Sequence, residues 1–124
     1  MGTALVIDDS RAIRMILGRM LNEFGYEVCS AANGREALNM IGGQSLDLSV
    51  ILVDWFMPEM NGLEFVKAIR SDPRLGDVPL LMVLNDSEID QIHPALAAGA
   101  DEYVLKPFTD QAIAEKLRLL GVLQ

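Results

Sequence analysis

One cysteine, Cys29, occurs in 124 residues, so an intramolecular disulfide and a cysteine-cluster metal site are both excluded. It falls inside an apolar strand pattern and is expected to be a buried, inert thiol. Histidine is as scarce: His93 stands alone, precedes a proline at a loop or helix start, and is assigned neither phosphohistidine nor metal chemistry. Basic residues number ten against eighteen acidic ones, and the resulting net charge of -8 gives an average field that repels DNA, RNA and anionic lipid. Nucleic acid and membrane are set aside as partners. No apolar stretch approaches the roughly 20 residues of a membrane span, and the first residues lack the basic-then-apolar layout of a secretory signal. Met1-Gly2 opens as a myristoylation motif does, but Val6 stands where that motif wants Ser or Thr. A cytoplasmic location is expected. With neither an internal repeat nor a low-complexity linker, the chain reads as one domain, 1–124.

What the chain does have is an alternation of short apolar runs and amphipathic segments. Ala4 to Ile7 is a continuous apolar run, as in a parallel strand buried on both faces, and Asp8-Asp9-Ser10 follows with capping side chains. The next helix carries its apolar stripe at Ile13, Ile16, Leu17, Met20, Leu21 and Phe24, and Gly25 ends it. A strand at Glu27 to Ala31 leads through a cap at Asn33 into a helix with Ala37, Leu38 and Ile41, closed by Gly42-Gly43. Val50 to Val53 runs up to Asp54, and a loop with Pro58 and Asn61-Gly62 precedes a helix over Leu63 to Arg70. Leu80 to Leu84 is the fourth strand. Pro94 lies where a helix starting soon after Ser87 needs its backbone donor, so the fourth helix is expected to be short, late or kinked, with Pro94 in a first turn. Tyr103 to Leu105 and a helix from Asp110 to Leu120 complete five strand–helix pairs. That pattern predicts an α/β, doubly wound parallel sheet with helices on both faces and right-handed crossovers.

Asp8 and Asp9, Asp54, and Lys106 before Pro107 each follow an apolar run, and open α/β sheets gather ligands outside the carboxyl ends of their strands. Singly, each has a structural explanation as a cap, a strand end or a surface pair. Together, three carboxylates brought into one pocket repel one another and call for a cation and a nearby ammonium group. Oxygen-only ligands suit Mg²⁺, and with charge so absorbed one aspartate can attack phosphorus and form an acyl phosphate. Positioning and charge neutralisation, the latter partly by Lys106, supply most of such catalysis. Glu59 and Glu64 are read as solvated acids with at most an electrostatic role, and the seven methionines as core filling.

These residues resemble the receiver domains of two-component response regulators, in particular the single-domain chemotaxis-type regulators. The resemblance spans essentially the whole chain. It rests on Leu5-Val6-Ile7-Asp8-Asp9-Ser10, Asp54-Trp55-Phe56-Met57-Pro58 with Asn61-Gly62, Gly99-Ala100, and Lys106-Pro107-Phe108 in that order. It implies a flavodoxin-like, five-stranded parallel sheet of order 2-1-3-4-5. It makes Asp54 the phosphoacceptor, Asp9 a direct metal ligand, Asp8 a ligand acting largely through metal-bound water, and the Phe56 backbone carbonyl a further ligand. Lys106 would contact the phosphoryl group, and its bond to Pro107 would be cis. Phosphate would come from a histidine kinase, a phosphotransfer protein or a small phosphodonor, and output would run through the face of the fourth helix, fifth strand and fifth helix to a downstream protein. No output domain follows, so the chain either acts by direct contact or is a piece of a longer polypeptide.

One departure stands out. The position that holds Ser or Thr in typical receivers is Leu84 here, so the hydroxyl that bonds a phosphoryl oxygen and starts the switch is missing. Tyr103 matches the aromatic switch position, and the Asn85 amide is a substitute donor if its loop shifts. The leading reading is a Mg²⁺-dependent receiver that catalyses its own phosphorylation at Asp54 and loses phosphate slowly, because Trp55 and Phe56 add bulk beside the pocket. The alternative is a receiver-like interaction module independent of phosphorylation. A Mg²⁺-dependent haloacid-dehalogenase-type phosphatase ranks lower, since Phe56 stands where its second acid belongs. A flavin-binding role lacks a phosphate loop after the first strand.

Overall fold

The computed structural model describes residues 2–43, 47–57 and 60–124; Met1, Pro58 and Glu59, named above, lie outside them. The apolar runs become five parallel strands, β1 (Thr3–Ile7), β2 (Glu27–Ala31), β3 (Leu48–Asp54), β4 (Leu80–Leu84) and β5 (Glu102–Leu105), in the order β2-β1-β3-β4-β5. Their side chains alternate between two apolar cores. Leu5, Ile7, Ile51, Val53, Met82 and Leu84 face one core, and Ala4, Val6, Val50, Leu52, Leu81 and Val83 the other. Burial on both faces is why β1 and β4 read as unbroken apolar runs rather than alternating ones.

Helices cover the two faces. On one lie α1 (Arg11–Glu23) and α5 (Asp110–Leu119), contributing Leu17, Leu21, Ile113 and Leu117. On the other lie α2 (Gly34–Gly43), α3 (Gly62–Ser71) and α4 (Ile92–Ala98), contributing Ala37, Ile41, Phe65, Val66, Ile69 and Ala95. The stripe expected along α1 is narrower than its spacing implies: Ile16 is 46 % exposed, because Leu17 and Leu21 already fill the contact with the sheet.

The helix starts follow local chemistry. Ser10, rather than Asp8 or Asp9, caps α1, its hydroxyl accepting from Ile13 N–H. Asn33 Oδ1 accepts from Glu36 N–H at the start of α2. Asn61 and Glu64 form a reciprocal capping box on α3, so Glu64 has a hydrogen-bonding task beyond the electrostatic one expected of it. Thr109 caps α5. The chain leaves β4 as a 3₁₀ helix (Asp86–Gln91) before α4 begins late, with Pro94 in its first turn where a missing N–H does no harm.

A staple closes the end of the sheet away from the acids. Arg70, at the end of α3, donates to the carbonyls of Gly99, Leu75, Gly76 and Val78 and pairs with Asp101 at 2.8 Å. Asp101 in turn accepts from Leu80 N–H at 2.9 Å. Gly99, at φ 126°, takes a backbone form that L side chains rarely adopt, and a Cβ there would lie 2.7 Å from the Arg70 side chain.

Candidate functional site

The chain order places β1 between β2 and β3, so connections leave β1 and β3 toward opposite sides and open a crevice at their carboxyl ends. Asp8 and Asp9 follow β1, and Asp54 is the last residue of β3. One carboxylate oxygen from each of the three lies within 4.8 Å of the others. Lys106 follows β5 and reaches back into the same crevice, its Nζ 3.4 Å from Asp8 Oδ2 and 3.4 Å from Asp54 Oδ1. The Lys106–Pro107 bond is cis, and Lys106 N–H donates to Leu84 O at 2.7 Å, extending the β4–β5 pairing to the edge of the site.

Burial makes this cluster electrostatically costly. Asp8 is 1 % and Asp54 4 % exposed, whereas Asp9 is exposed. Burial and then the neighbouring Asp8 charge push the Asp54 carboxyl up to about 7, against the opposing pull of Lys106. Asp8 is also raised, by burial above all, although Ser10 N–H and Lys106 draw it back down. Burial works against the charge on Lys106, but Asp54 and Asp8 together hold it above the ordinary lysine value.

Ser10 N–H donates to Asp8 Oδ1 at 2.8 Å, while Asp8 Oδ2 is buried with no hydrogen-bond partner among the described residues; the ammonium at 3.4 Å is an ion-pair contact of poor bonding geometry. A buried carboxylate oxygen left in this way, facing two further carboxylates, is what a hard divalent cation satisfies. The all-oxygen donor set fits Mg²⁺.

The sequence brought the four charged residues to one pocket, and the structure groups them there. It missed Arg14, whose Nη1 donates to Asp8 O at 2.7 Å and fixes the turn that aims the carboxylate; nothing in the spacing separates Arg14 from the solvated arginines of the same helix. It also missed Glu88, a buried carboxylate whose Oε1 accepts from Asn85 N–H at 2.8 Å. The signal was available as the capping-box spacing of Asn85 and Glu88.

The two residues after Asp54 part company. Trp55 turns inward at 5 % exposure, against α3, where a Cβ on Gly62 would lie 2.5 Å from its ring; that close approach is why Gly62 suits this position. Phe56 is 75 % exposed. Trp55 therefore belongs to the core rather than the mouth of the pocket, and of the pair only Phe56 is free to cover the acceptor. Leu84 is fully buried, Asn85 is exposed, and Tyr103 packs half-buried against the α2–α4 face. Lys116 stands 4.7 Å above the Tyr103 ring centroid and pairs with Glu102 at 3.0 Å.

Known proteins are similar to this chain in sequence and fold. A family model described as the response regulator receiver domain matches residues 4–118. Chemotaxis protein CheY1 of Helicobacter pylori is 41 % identical over 117 residues, 94 % of each chain. The chemotaxis protein CheY homolog of Campylobacter jejuni is 40 % identical over 114 residues, 91 % of this chain and 87 % of that one. Among solved structures, Vibrio cholerae chemotaxis protein CheY4 superposes with a TM-score of 0.88 at 35 % identity, covering 97 % of this chain and 98 % of that one. The response regulator TrrA of Thermotoga maritima, solved in complex with Mg²⁺ and BeF, gives a TM-score of 0.81 at 32 % identity, over 97 % and 99 %.

Proposed function

The chain belongs to the response regulator receiver domain family and is of the chemotaxis CheY type, and on that premise we propose that it signals by accepting a phosphoryl group on Asp54. The observation that carries the proposal is the grouping of buried Asp8 and Asp54 with exposed Asp9, with an Asp8 oxygen unbonded among the described residues and the Lys106 ammonium reaching the two buried acids.

Asp8, Asp9, Asp54 and the Phe56 backbone carbonyl would hold Mg²⁺, which supplies charge neutralisation to the transferring phosphoryl group. An ionised Asp54 oxygen forms the new bond to phosphorus, and the bond from phosphorus to the donor's nitrogen or oxygen breaks, its electron pair leaving with the donor. Lys106 stands 3.4 Å from the Asp54 oxygen, placed to pair with a phosphoryl oxygen there. Arg14 and Ser10 hold Asp8 in position. The exposed Phe56 ring limits the approach of water, so hydrolysis of phospho-Asp54 is slow, and a lifetime of only seconds contradicts this reading.

The donor is a histidine kinase or phosphotransfer protein in the cytoplasm, and output passes to a downstream protein across α4, β5 and α5, where Leu96 and Leu119 are 40 % and 66 % exposed. The single-domain reading, 1–124, is part of this proposal. Asn85, exposed beside Leu84, supplies the phosphoryl-oxygen donor that Leu84 lacks, and Tyr103 answers by changing rotamer. A structure with a phosphoryl mimic in which the Asn85 amide points away from the added oxygens eliminates the Asn85 role.

The whole reading is tested by adding Mg²⁺ with acetyl phosphate or beryllium fluoride and following Trp55, the only tryptophan, which adjoins Asp54. A fluorescence response abolished by Asp54→Asn supports it. Indifference to both additions favours the phosphorylation-independent module instead.

A further inference from the structure

The tip of Tyr103 is unanchored. Among the described residues its hydroxyl makes no hydrogen bond, whereas the hydroxyl of Tyr26, the other tyrosine, donates to Val122 O. The Tyr103 ring is held by apolar packing and by a cation over its face, with Lys116 Nζ 4.7 Å from the centroid.

That contact joins the two sides of the sheet. Tyr103 packs against the core that lies under α2, α3 and α4, while Lys116 belongs to α5, whose Ile113 and Leu117 enter the opposite core. β5 is the outermost strand, so the lysine reaches the ring around the open edge of the sheet. Glu102, the residue before Tyr103, fixes that reach: its Oε1 accepts from Lys116 Nζ at 3.0 Å and from Tyr103 N–H at 3.2 Å. One carboxylate oxygen thus ties the lysine head to the backbone of the residue whose ring it covers. The Lys116 and Glu102 side chains are each 26 % exposed, so water screens them less than a fully exposed pair.

We propose that Lys116 is a positioning residue for the aromatic switch: with Glu102 it clasps Tyr103 across the β5 edge, so that a change of rotamer has to break the contact between cation and ring. The inference rests on the proposed relay through Tyr103 and adds a restraint to it, one that involves neither Leu84 nor Asn85. A cation over a ring at a partly exposed site favours the covered rotamer by about twofold to fivefold in population. Phosphorylation can overcome a bias of that size, and a measurement can resolve it.

The test reads the χ1 populations of Tyr103 from three-bond couplings in the isotope-labelled full chain, first without Mg²⁺ or phosphodonor. Lys116→Gln removes the charge and is expected to raise the minor rotamer about twofold to fivefold, while Lys116→Arg keeps a cation over the ring and is expected to match wild type. Glu102→Lys combined with Lys116→Glu preserves an ion pair but brings a carboxylate to the ring, and is expected to behave as Lys116→Gln does. Tyr26, at 3 % exposure, should keep its couplings throughout, which separates release of one ring from a loosened fold. If the exchanged pair fails to fold, Lys116→Gln against Lys116→Arg decides. Unchanged couplings in Lys116→Gln, an equal gain in Lys116→Arg, or wild-type couplings in the exchanged pair each overturns the proposal. Mg²⁺ with beryllium fluoride is then expected to shift Tyr103 further in Lys116→Gln than in wild type. If the resting couplings respond as expected but beryllium fluoride moves Tyr103 in no variant, the restraint stands and Asp54 fails as its trigger.

Discussion

In the absence of a divalent cation, Asp54→Asn stabilises the folded chain at pH 8 and does so much less at pH 5. Asp54 is 4 % exposed and its carboxyl is raised from 3.8 to about 7, by burial first and by Asp8 second. Below about pH 3 the carboxyl is protonated whether the chain is folded or not, and its charge makes no difference to stability. As pH rises toward 7 the unfolded chain ionises at its ordinary value while the folded chain holds its proton, so stability falls throughout that interval. Above about 7 both ionise and the whole penalty is present. The displacement corresponds to at most about 4 kcal/mol, of which roughly half or less is already in force at pH 5.

Asparagine keeps the shape and cannot ionise. Urea unfolding at the two pH values, without Mg²⁺ and with a chelator, is expected to show a gain over wild type larger at pH 8 than at pH 5 by about 2 kcal/mol. Millimolar Mg²⁺ raises the wild-type midpoint at pH 8 by mass action and acts less on the variant. A gain independent of pH, or a variant less stable than wild type at pH 8, refutes the view that Asp54 is held charged at the expense of the fold.

Three further outcomes follow from named contacts. Lys106→Met removes the ammonium 3.4 Å from Asp8 and Asp54; it is expected to raise the Asp54 pKa further and to slow phosphorylation by acetyl phosphate about a hundredfold at neutral pH, read by mass spectrometry. Arg70→Ala strands the carbonyls of Gly99, Leu75, Gly76 and Val78 and the Asp101 carboxylate, and should lower stability by about 3 kcal/mol in urea while leaving the phosphorylation rate of the folded chain unchanged. Leu84→Thr places a hydroxyl at a fully buried position; it is expected to cost about 2 kcal/mol in urea and to leave phosphorylation within a few-fold of wild type.

The fold and the acid cluster were legible because their signals are local and repeated. Unbroken apolar runs such as Leu80 to Leu84 arise only where a strand is covered on both faces, and the acids follow those runs directly. Pro94 marked the late start of α4 through its missing donor. Less legible was whatever depends on which neighbour arrives first. Ile16 fits the helical stripe as well as Leu17 does, yet the sheet meets only a narrow part of α1, and Ile16 is left in water. Trp55 and Phe56 are adjacent, aromatic and equivalent on paper; the bare Cα of Gly62 admits one ring to the core, and the other stays outside.

The replacement at position 84 separates the chemistry of the site from its relay. The influences that set the proton affinity of Asp54 are burial, Asp8, Lys106 and Asp9, and none of them comes from residue 84. Leu84 belongs instead to the core that also holds Ile7 and Val53, the residues immediately before Asp8 and Asp54. Its carbonyl accepts from Lys106 N–H. On the proposed reading, the leucine gives up the hydrogen bond that a hydroxyl in that place would offer a phosphoryl oxygen, and its own side chain is part of the apolar core. If Asp54 is the phosphoacceptor as proposed, its chemistry is expected to survive the substitution, and any change to fall on the proposed relay along β4 and β5 to Tyr103, whose ring lies under the Lys116 ammonium. Because a ligand or modification shifts a two-state equilibrium only by its differential contacts with the two states, loss of the hydroxyl shrinks the bias from phosphorylation without shrinking the extent of phosphorylation. Labelled phosphate uptake and Tyr103 side-chain NMR, measured on the same wild-type and Leu84→Thr samples, are expected to part in that way.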